Sequence, residues 1–311
     1  MTESAPFTKV QDLSAAFARL VGIAAPGVVA VQSDHSRSSG FLWRPGLIVT
    51  ADEALSEEGD VAVTLPGGES IAARLVGRDH TTDIALLRID RSDVPPVRLE
   101  SPSVPVGALA IAVGAEDGAP TAASGVVSRS TGPWWSLRGG EIDARIELDL
   151  RMRRSAEGGL AIEAAGQTIG MTVFGPRRLV LVIPSATIER VAARLEKCGH
   201  IPRGYLGLGF QLVALEEGGR GVMVMKVEPQ GPGAKAGVHQ GDIIVSWNGE
   251  PIRHVRSLLR GLGPDSVGRT VTLGLSRAGE TKNVPLTIAE RLPLEQERRR
   301  TPDPFGAQYR E

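Results

Sequence analysis

The sequence predicts a mostly β protein of several small domains, and three observations carry that prediction. Glycine (38) and proline (21) are abundant while aromatics make up only 4%, a bias toward short strands joined by tight turns. Short apolar runs recur along the chain, with turn residues roughly every 8–12 positions. The 311 residues correspond to two or three domains at roughly 100–200 residues each.

A helix comes first, within residues 1–25. Leu13, Phe17, Leu20 and Val21 have helical spacing, and Pro26 ends the pattern. Residues 26–100 then carry strand signals at Val28–Gln32, Gly40–Trp43, Leu47–Ala51, Val61–Leu65, Ile71–Val76 and Ile84–Ile89. Pro66-Gly67-Gly68 is a hairpin turn between two of them. Residues 101–200 hold a second set at Ala108–Val113, Gly125–Ser128, Arg145–Leu148, Leu160–Ile162, Ile169–Phe174 and Leu179–Ile183. Each set suits a small β-barrel or sandwich. Ser185–Lys197 is a helix with Ile188, Val191, Ala192 and Leu195 as its apolar stripe and Gly199 past its end.

Residues 204–290 form a separate α+β module. Its strands are expected at Gly207–Val213, Gly221–Val227, Asp242–Trp247, Val271–Leu275 and Asn283–Ile288, with a helical turn at Ala234–Ala236 and a helix at Val255–Leu262. Residues 291–311, with Arg298-Arg299-Arg300 and little apolar content, read as a flexible tail.

Composition excludes several functions. Hydrophobic residues at 41% and charged residues at 23% allow real cores. A net charge of −1 gives no electrostatic pull toward nucleic acid or anionic membrane. Cys198 is the single cysteine, so neither a disulfide framework nor a cysteine-built zinc site is available; it reads as a partly buried thiol. With five scattered histidines, no metal and no cofactor is expected. No signal peptide or membrane span is visible. The expectation is a cytoplasmic protein, or a periplasmic one if a leader is missing.

Several ordered segments point further: Gly40-Phe41, Gly46-Leu47-Ile48-Val49-Thr50, the run Gly77 to Leu87 containing His80, Asp83 and Ile84, Ser124-Gly125-Val126-Val127-Ser128, Asp149, Gly158-Gly159, Ile183-Pro184-Ser185 and Arg203-Gly204-Tyr205-Leu206-Gly207-Leu208. In this order and spacing the chain resembles the HtrA/Deg family over about residues 20–290. That resemblance implies a chymotrypsin-like double β-barrel followed by a PDZ domain.

The family's chemistry needs a nucleophilic Ser, a His base and an Asp that orients the His. Its His follows the Gly-x-Ile-x-Thr strand; here that run continues Thr50-Ala51-Asp52-Glu53, which puts Glu53 in the His position. The Asp position is kept as Asp83. The family's Ser sits in Gly-Asn-Ser-Gly-Gly; here Ser155-Ala156-Glu157-Gly158-Gly159 puts Glu157 in its place, and Leu160 follows where the family has Pro. The resemblance therefore implies a pseudoprotease, with an active quality-control endopeptidase as the alternative. Ser155 and His80 read as ordinary loop residues rather than a substitute pair.

Three carboxylates in one cleft cannot all stay charged and unpaired. Either one holds a proton or a cation joins them, with Arg151, Arg153 and Arg154 as candidates and a divalent metal as a further option. In the PDZ module the resemblance implies peptide capture by strand addition. Tyr205, Leu206, Gly207 and Leu208 form the carboxylate loop, and Leu258 and Leu259 stand on the helix at the groove's other wall. The implied partners are protein C-termini or unfolded polypeptide, with a homotrimer or association with active relatives. Trp134-Trp135 is read either as an interaction patch or as a pair with one ring packed on the barrel.

Overall fold

The computed structural model describes residues 5–34, 36–57, 59–215, 220–252 and 254–291. The expected tail, with Arg298, Arg299 and Arg300, lies outside the described residues apart from its first position. The chain divides into two compact units between Ile201 and Pro202.

In the first unit, helix α1 (Ala5–Ala24) leads through a short turn containing Pro26 into two closed barrels. The first is built from β1 (Val28–Ser33), β2 (Ser36–Arg44), β3 (Leu47–Thr50), β4 (Val61–Thr64), β5 (Ser70–Asp79) and β6 (Ile84–Ile89), ordered β1-β2-β3-β6-β5-β4. Every residue of β3 is buried, which is why its sequence is an unbroken apolar run ending in a hydrogen-bonded threonine. Thr50 Oγ1 donates to the Ser39 carbonyl at 2.7 Å. The Pro66-Gly67-Gly68 turn closes as expected, with both glycines at positive φ and Gly68 N–H donating to the Leu65 carbonyl at 3.0 Å.

The second barrel comprises β7 (Leu109–Glu116), β8 (Ala119–Thr131), β11 (Arg145–Asp149), β12 (Leu160–Glu163), β13 (Thr168–Phe174) and β14 (Val180–Pro184). Between β8 and β11 stands the small hairpin β9 (Trp134–Trp135) and β10 (Glu141–Ile142). The barrel order is β11-β14-β13-β12-β7-β8. Helix α2 (Ser185–Cys198) buries Ile188, Val191, Ala192 and Leu195 and ends on Gly199 at φ 74°, whose N–H donates to the Leu195 carbonyl at 2.8 Å. Cys198, expected to be partly buried, is exposed, because it is the helix's last residue, beyond Leu195, the last buried position of that stripe.

Each barrel has its own core, around Leu42, Ile48 and Leu87 in the first and Ala110, Leu148 and Val182 in the second. A third and larger cluster joins them. Phe41, Val49, Ile84 and Leu86 from the first barrel pack with Val113, Leu160, Met171 and Ile183 from the second and with the α2 stripe. The barrels are thus fused along a buried seam, and loops from both meet at its rim.

The second unit contains β15 (Gly204–Tyr205), β16 (Leu208–Ala214), β17 (Arg220–Val227), α3 (Pro232–Lys235), β18 (Ile243–Trp247), β19 (Glu250–Pro251), α4 (Val255–Arg260), β20 (Thr270–Arg277), β21 (Glu280–Thr287) and β22 (Ala289–Glu290). Its main sheet runs β16-β17-β18-β20-β21, with β19 on β18, so β16 is an edge. Val222, Val224, Ile244, Leu258, Leu273 and Leu275 form its core. Arg277 grips the buried Asp242 carboxylate with two bonds of 2.7 Å, fixing the start of β18 against the end of β20.

Candidate functional site

The seam between the barrels delivers the site. Ser39 on β2 holds the second barrel's loop: its Oγ donates to the Ser155 carbonyl at 2.6 Å and accepts from Ala115 N–H at 2.9 Å, and its N–H donates to the Glu157 carbonyl at 2.7 Å. Gly158 follows at φ 82°, and a Cβ there would stand 2.3 Å from the Ser39 carbonyl oxygen. Only glycine fits this crossing, so Glu157 is held against the first barrel by its backbone.

From the first barrel, the loop after β3 brings Glu53 and the β5–β6 hairpin brings Asp83. The hairpin is built around Asp79, whose carboxylate accepts from the Thr81 N–H and from the hydroxyls of Thr81 and Thr82. Asp83 sits at φ 59°, a costly conformation for a non-glycine residue. Its Oδ1 accepts the Glu53 N–H at 2.7 Å. Glu53 and Glu157 are both near enough to act on Asp83 electrostatically. Burial pushes the Asp83 carboxyl up to about 8; the Glu53 N–H bond opposes this, and the charges of Glu53, Glu157 and Asp52 add to it. Glu157 is also raised, first by burial, against the 3.3 Å bond its Oε1 accepts from Phe174 N–H.

These shifts predict a pH dependence. The folded protein keeps the Asp83 proton between the ordinary 3.8 and about 8, where the unfolded chain has lost it. The native state then binds more protons, so this group's contribution to stability falls as pH rises through that window. Asp83→Asn removes the titration. Its stability relative to the natural protein is expected to increase steadily with pH in urea unfolding. Parallel stability curves for the two proteins would contradict it.

The cation paired with Glu53 is not one of those suggested by the sequence. Arg138, on the loop between β9 and β10, pairs with Glu53 Oε1 at 3.0 Å and donates to the His80 carbonyl at 3.2 Å. Arg153 reaches Glu116 instead at 3.7 Å, Arg151 lines other pockets, and Arg154 acts on Glu157 only electrostatically. The loop bearing Arg138 is fastened by Ser136 Oγ, which donates to the Thr81 carbonyl at 2.6 Å.

His80 is more than an ordinary loop residue. It lines the cleft, and its Nδ1 lies 2.5 Å from Oδ2 of buried Asp52 rather than on Asp83. Asp52 also takes Arg78 Nε at 2.5 Å. The cleft holds about 610 Å³ and is walled by Glu53, Asp83, Trp135, Leu137, Phe174 and Pro176 among others. Trp134 packs partly into the core, its Nε1 donating to the Ala144 carbonyl at 3.2 Å and its ring under the Arg145 guanidinium.

One backbone detail bears on acyl chemistry. The Glu157 N–H donates to the Arg154 carbonyl at 3.0 Å, closing a single turn over Arg154–Ala156. This donor is already used within the chain.

In the second unit, Gly207 turns at φ 68°, and a Cβ there would meet Gly231 at 2.8 Å. Its carbonyl accepts from Glu228 N–H at 2.8 Å, and Tyr205 Oη donates to the Glu228 carboxylate. Leu206 and Leu258 are closed into the core, while Leu208 is half-buried and Leu259 is exposed. Of the four leucines, therefore, only Leu208 and Leu259 offer surface to a ligand.

Comparison with known proteins follows the same division. Residues 38–171 match the trypsin-like peptidase domain and residues 204–288 the PDZ domain. The chain is 31% identical over 271 residues to a probable periplasmic serine endoprotease, DegP-like, of Bartonella henselae, covering 81% of this chain and 52% of that protein. A protein of the same description from Chlamydia trachomatis is 29% identical, covering 83% and 55%. The chain thus spans about half the length of the curated relatives it matches. The crystal structure of the serine endoprotease from Yersinia pestis superposes with a TM-score of 0.72 at 27% identity, over 89% of this chain and 98% of that one. The HtrA-type protease AlgW with decapeptide shares the fold at 22% identity and a TM-score of 0.71, over 89% and 99%. The expectation of a cytoplasmic location is overturned by these relatives, which are named periplasmic. Compartment is set by targeting segments, and the composition of folded domains does not record it. Among the described residues no helix is long and apolar enough to cross a membrane.

Proposed function

Because the chain belongs to the HtrA/Deg family of trypsin-fold proteins with a PDZ domain, we propose that it is a proteolytically inactive member, a scaffold or regulator that holds polypeptide through its PDZ groove. What supports this reading is that Glu53 and Glu157, the acids the family resemblance assigns to the base and nucleophile positions, lie near enough to Asp83 to act on it, with the Glu53 N–H bonded to its carboxylate. A carboxylate that attacked a peptide carbonyl would form an anhydride rather than an ester. A charged Glu157 would also repel the oxyanion it would have to help stabilise. Arg138 closes Glu53 into an ion pair, which suits a former active site put to structural use.

The second reading is an active serine endopeptidase, and the names of the relatives favour it. It requires an attacking hydroxyl from outside the Glu157 position. Ser155, the nearest serine in sequence, is held by its carbonyl to Ser39, and His80 is engaged with Asp52.

For the PDZ domain the proposed ligand is a free protein C-terminus or an unfolded segment with an apolar last residue. It adds as a strand beside the edge strand β16, its carboxylate at Leu206-Gly207-Leu208 and its last side chain near Leu208. A peptide array probed with the full chain is expected to show binding to free C-termini and loss on C-terminal amidation. Equal signals from acid and amide forms would rule the groove out. Assembly, as a homotrimer or with active relatives, is part of the same proposal and is read by sedimentation.

A further inference from the structure

In the sheet edge that the proposed ligand would extend, one position lacks a side chain. Gly209 is the second residue of β16, and it pairs directly with Lys226 on β17. A Cβ built on Gly209 would lie 3.1 Å from Lys226 Cβ, so the two positions face the same side of the sheet. Lys226 is exposed, and among the described residues no carboxylate lies within ion-pair distance of it. The nearest acid in sequence on this strand's end, Glu228, is engaged with the Tyr205 hydroxyl. Phe210, the next residue of β16, turns the other way and packs against the core.

We propose that Lys226 selects an acidic residue at the penultimate position of the bound peptide, reaching it across the gap left by Gly209. The inference rests on strand addition to β16. With the carboxylate in the Leu206–Leu208 loop, the last residue of an antiparallel ligand stands opposite Leu208 and the penultimate one opposite Gly209. Side chains directly across a ladder share a face, so the penultimate side chain emerges on the face that carries Lys226. The two Cβ positions are two strand spacings apart, roughly 10 Å. The flexible four-carbon lysine stem lies over a glycine here, with no intervening side chain to block it, and an aspartate or glutamate closes the rest. A penultimate lysine or arginine meets like charge at the same place.

The test uses the full chain and fluorescent decapeptides with a free C-terminus and an apolar last residue, differing only in Glu, Gln or Lys at the penultimate position. An exposed pair of this kind is expected to favour Glu over Gln by about two- to fivefold, with Lys weaker again. The preference should shrink at high salt, and Lys226→Glu should reverse the order. Free C-termini that bind equally well whatever the penultimate residue, or an order unchanged in Lys226→Glu, would overturn the role of Lys226 and leave the groove standing. Failure of every free C-terminus to outcompete its amide would instead remove the groove, and the inference with it.

Discussion

Incubated with unfolded casein, the purified chain is expected to give no cleavage, and a fluorophosphonate probe is expected to label no serine. The expected loss relative to a member with an intact triad is on the order of 10⁶-fold, the effect of removing the hydroxyl or the imidazole from a triad. Turnover that disappears when a single serine is mutated would sink the inactive reading. Reversion separates the contributions. Glu157→Ser alone supplies a hydroxyl with no base, because Glu53 is paired with Arg138, and is expected to stay near background. Glu53→His with Glu157→Ser places hydroxyl and imidazole beside Asp83 and should give measurable cleavage. It should still fall about 10²–10³ short, the cost of one missing oxyanion donor, for as long as the backbone N–H at position 157 stays on the Arg154 carbonyl. Replacing Glu53 also frees Arg138, so the double variant is best compared with one that carries Arg138→Gln as well.

Features set by local pattern were readable from the sequence. The buried strand Leu47–Thr50 is an uninterrupted apolar run, helix α2 shows its stripe and its glycine stop, and Pro66-Gly67-Gly68 announces a turn. Strand β8 is longer than the segment Gly125–Ser128 suggested, because Ala119–Thr131 is rich in Ala, Ser and Thr and mostly unburied, which blurs any alternation. Glu53 and Glu157 are assigned through the family resemblance, from the run Gly46–Thr50 before the one and Gly158-Gly159 after the other. Arg138 and His80 could not be assigned partners, since Arg138–Glu53 and His80–Asp52 join loops distant in sequence whose paths depend on barrel closure. The resemblance implies Leu206 and Leu258 as groove residues, yet the small module buries them in its core. Spacing tells which face a residue is on, not how deeply the opposite layer covers it.

Asp52 is expected to be the most costly side chain to remove near the cleft. It is 2% exposed, and its carboxylate faces both Arg78 Nε and His80 Nδ1 at 2.5 Å. Arg78 in turn donates to the carbonyls of Asp52 at 3.1 Å, Ser56 at 3.3 Å and Leu55 at 3.4 Å. This clamp fixes the loop carrying Glu53 to strand β5. Asp52→Ala leaves the guanidinium, 15% exposed, without its counter-charge, and breaking such a pair from one side costs about 3–5 kcal/mol. Removing both charges in Asp52→Ala/Arg78→Met is expected to recover a substantial part of that loss, since the pair itself contributes far less than an orphaned charge costs. Denaturant unfolding followed by tryptophan fluorescence in a Trp247→Phe background reports on the barrels through Trp43, Trp134 and Trp135. A loss below about 1 kcal/mol in Asp52→Ala, the size of an exposed pair, would mean that the loop does not depend on the clamp. A double variant no more stable than the single one would place the damage in lost packing rather than in unpaired charge.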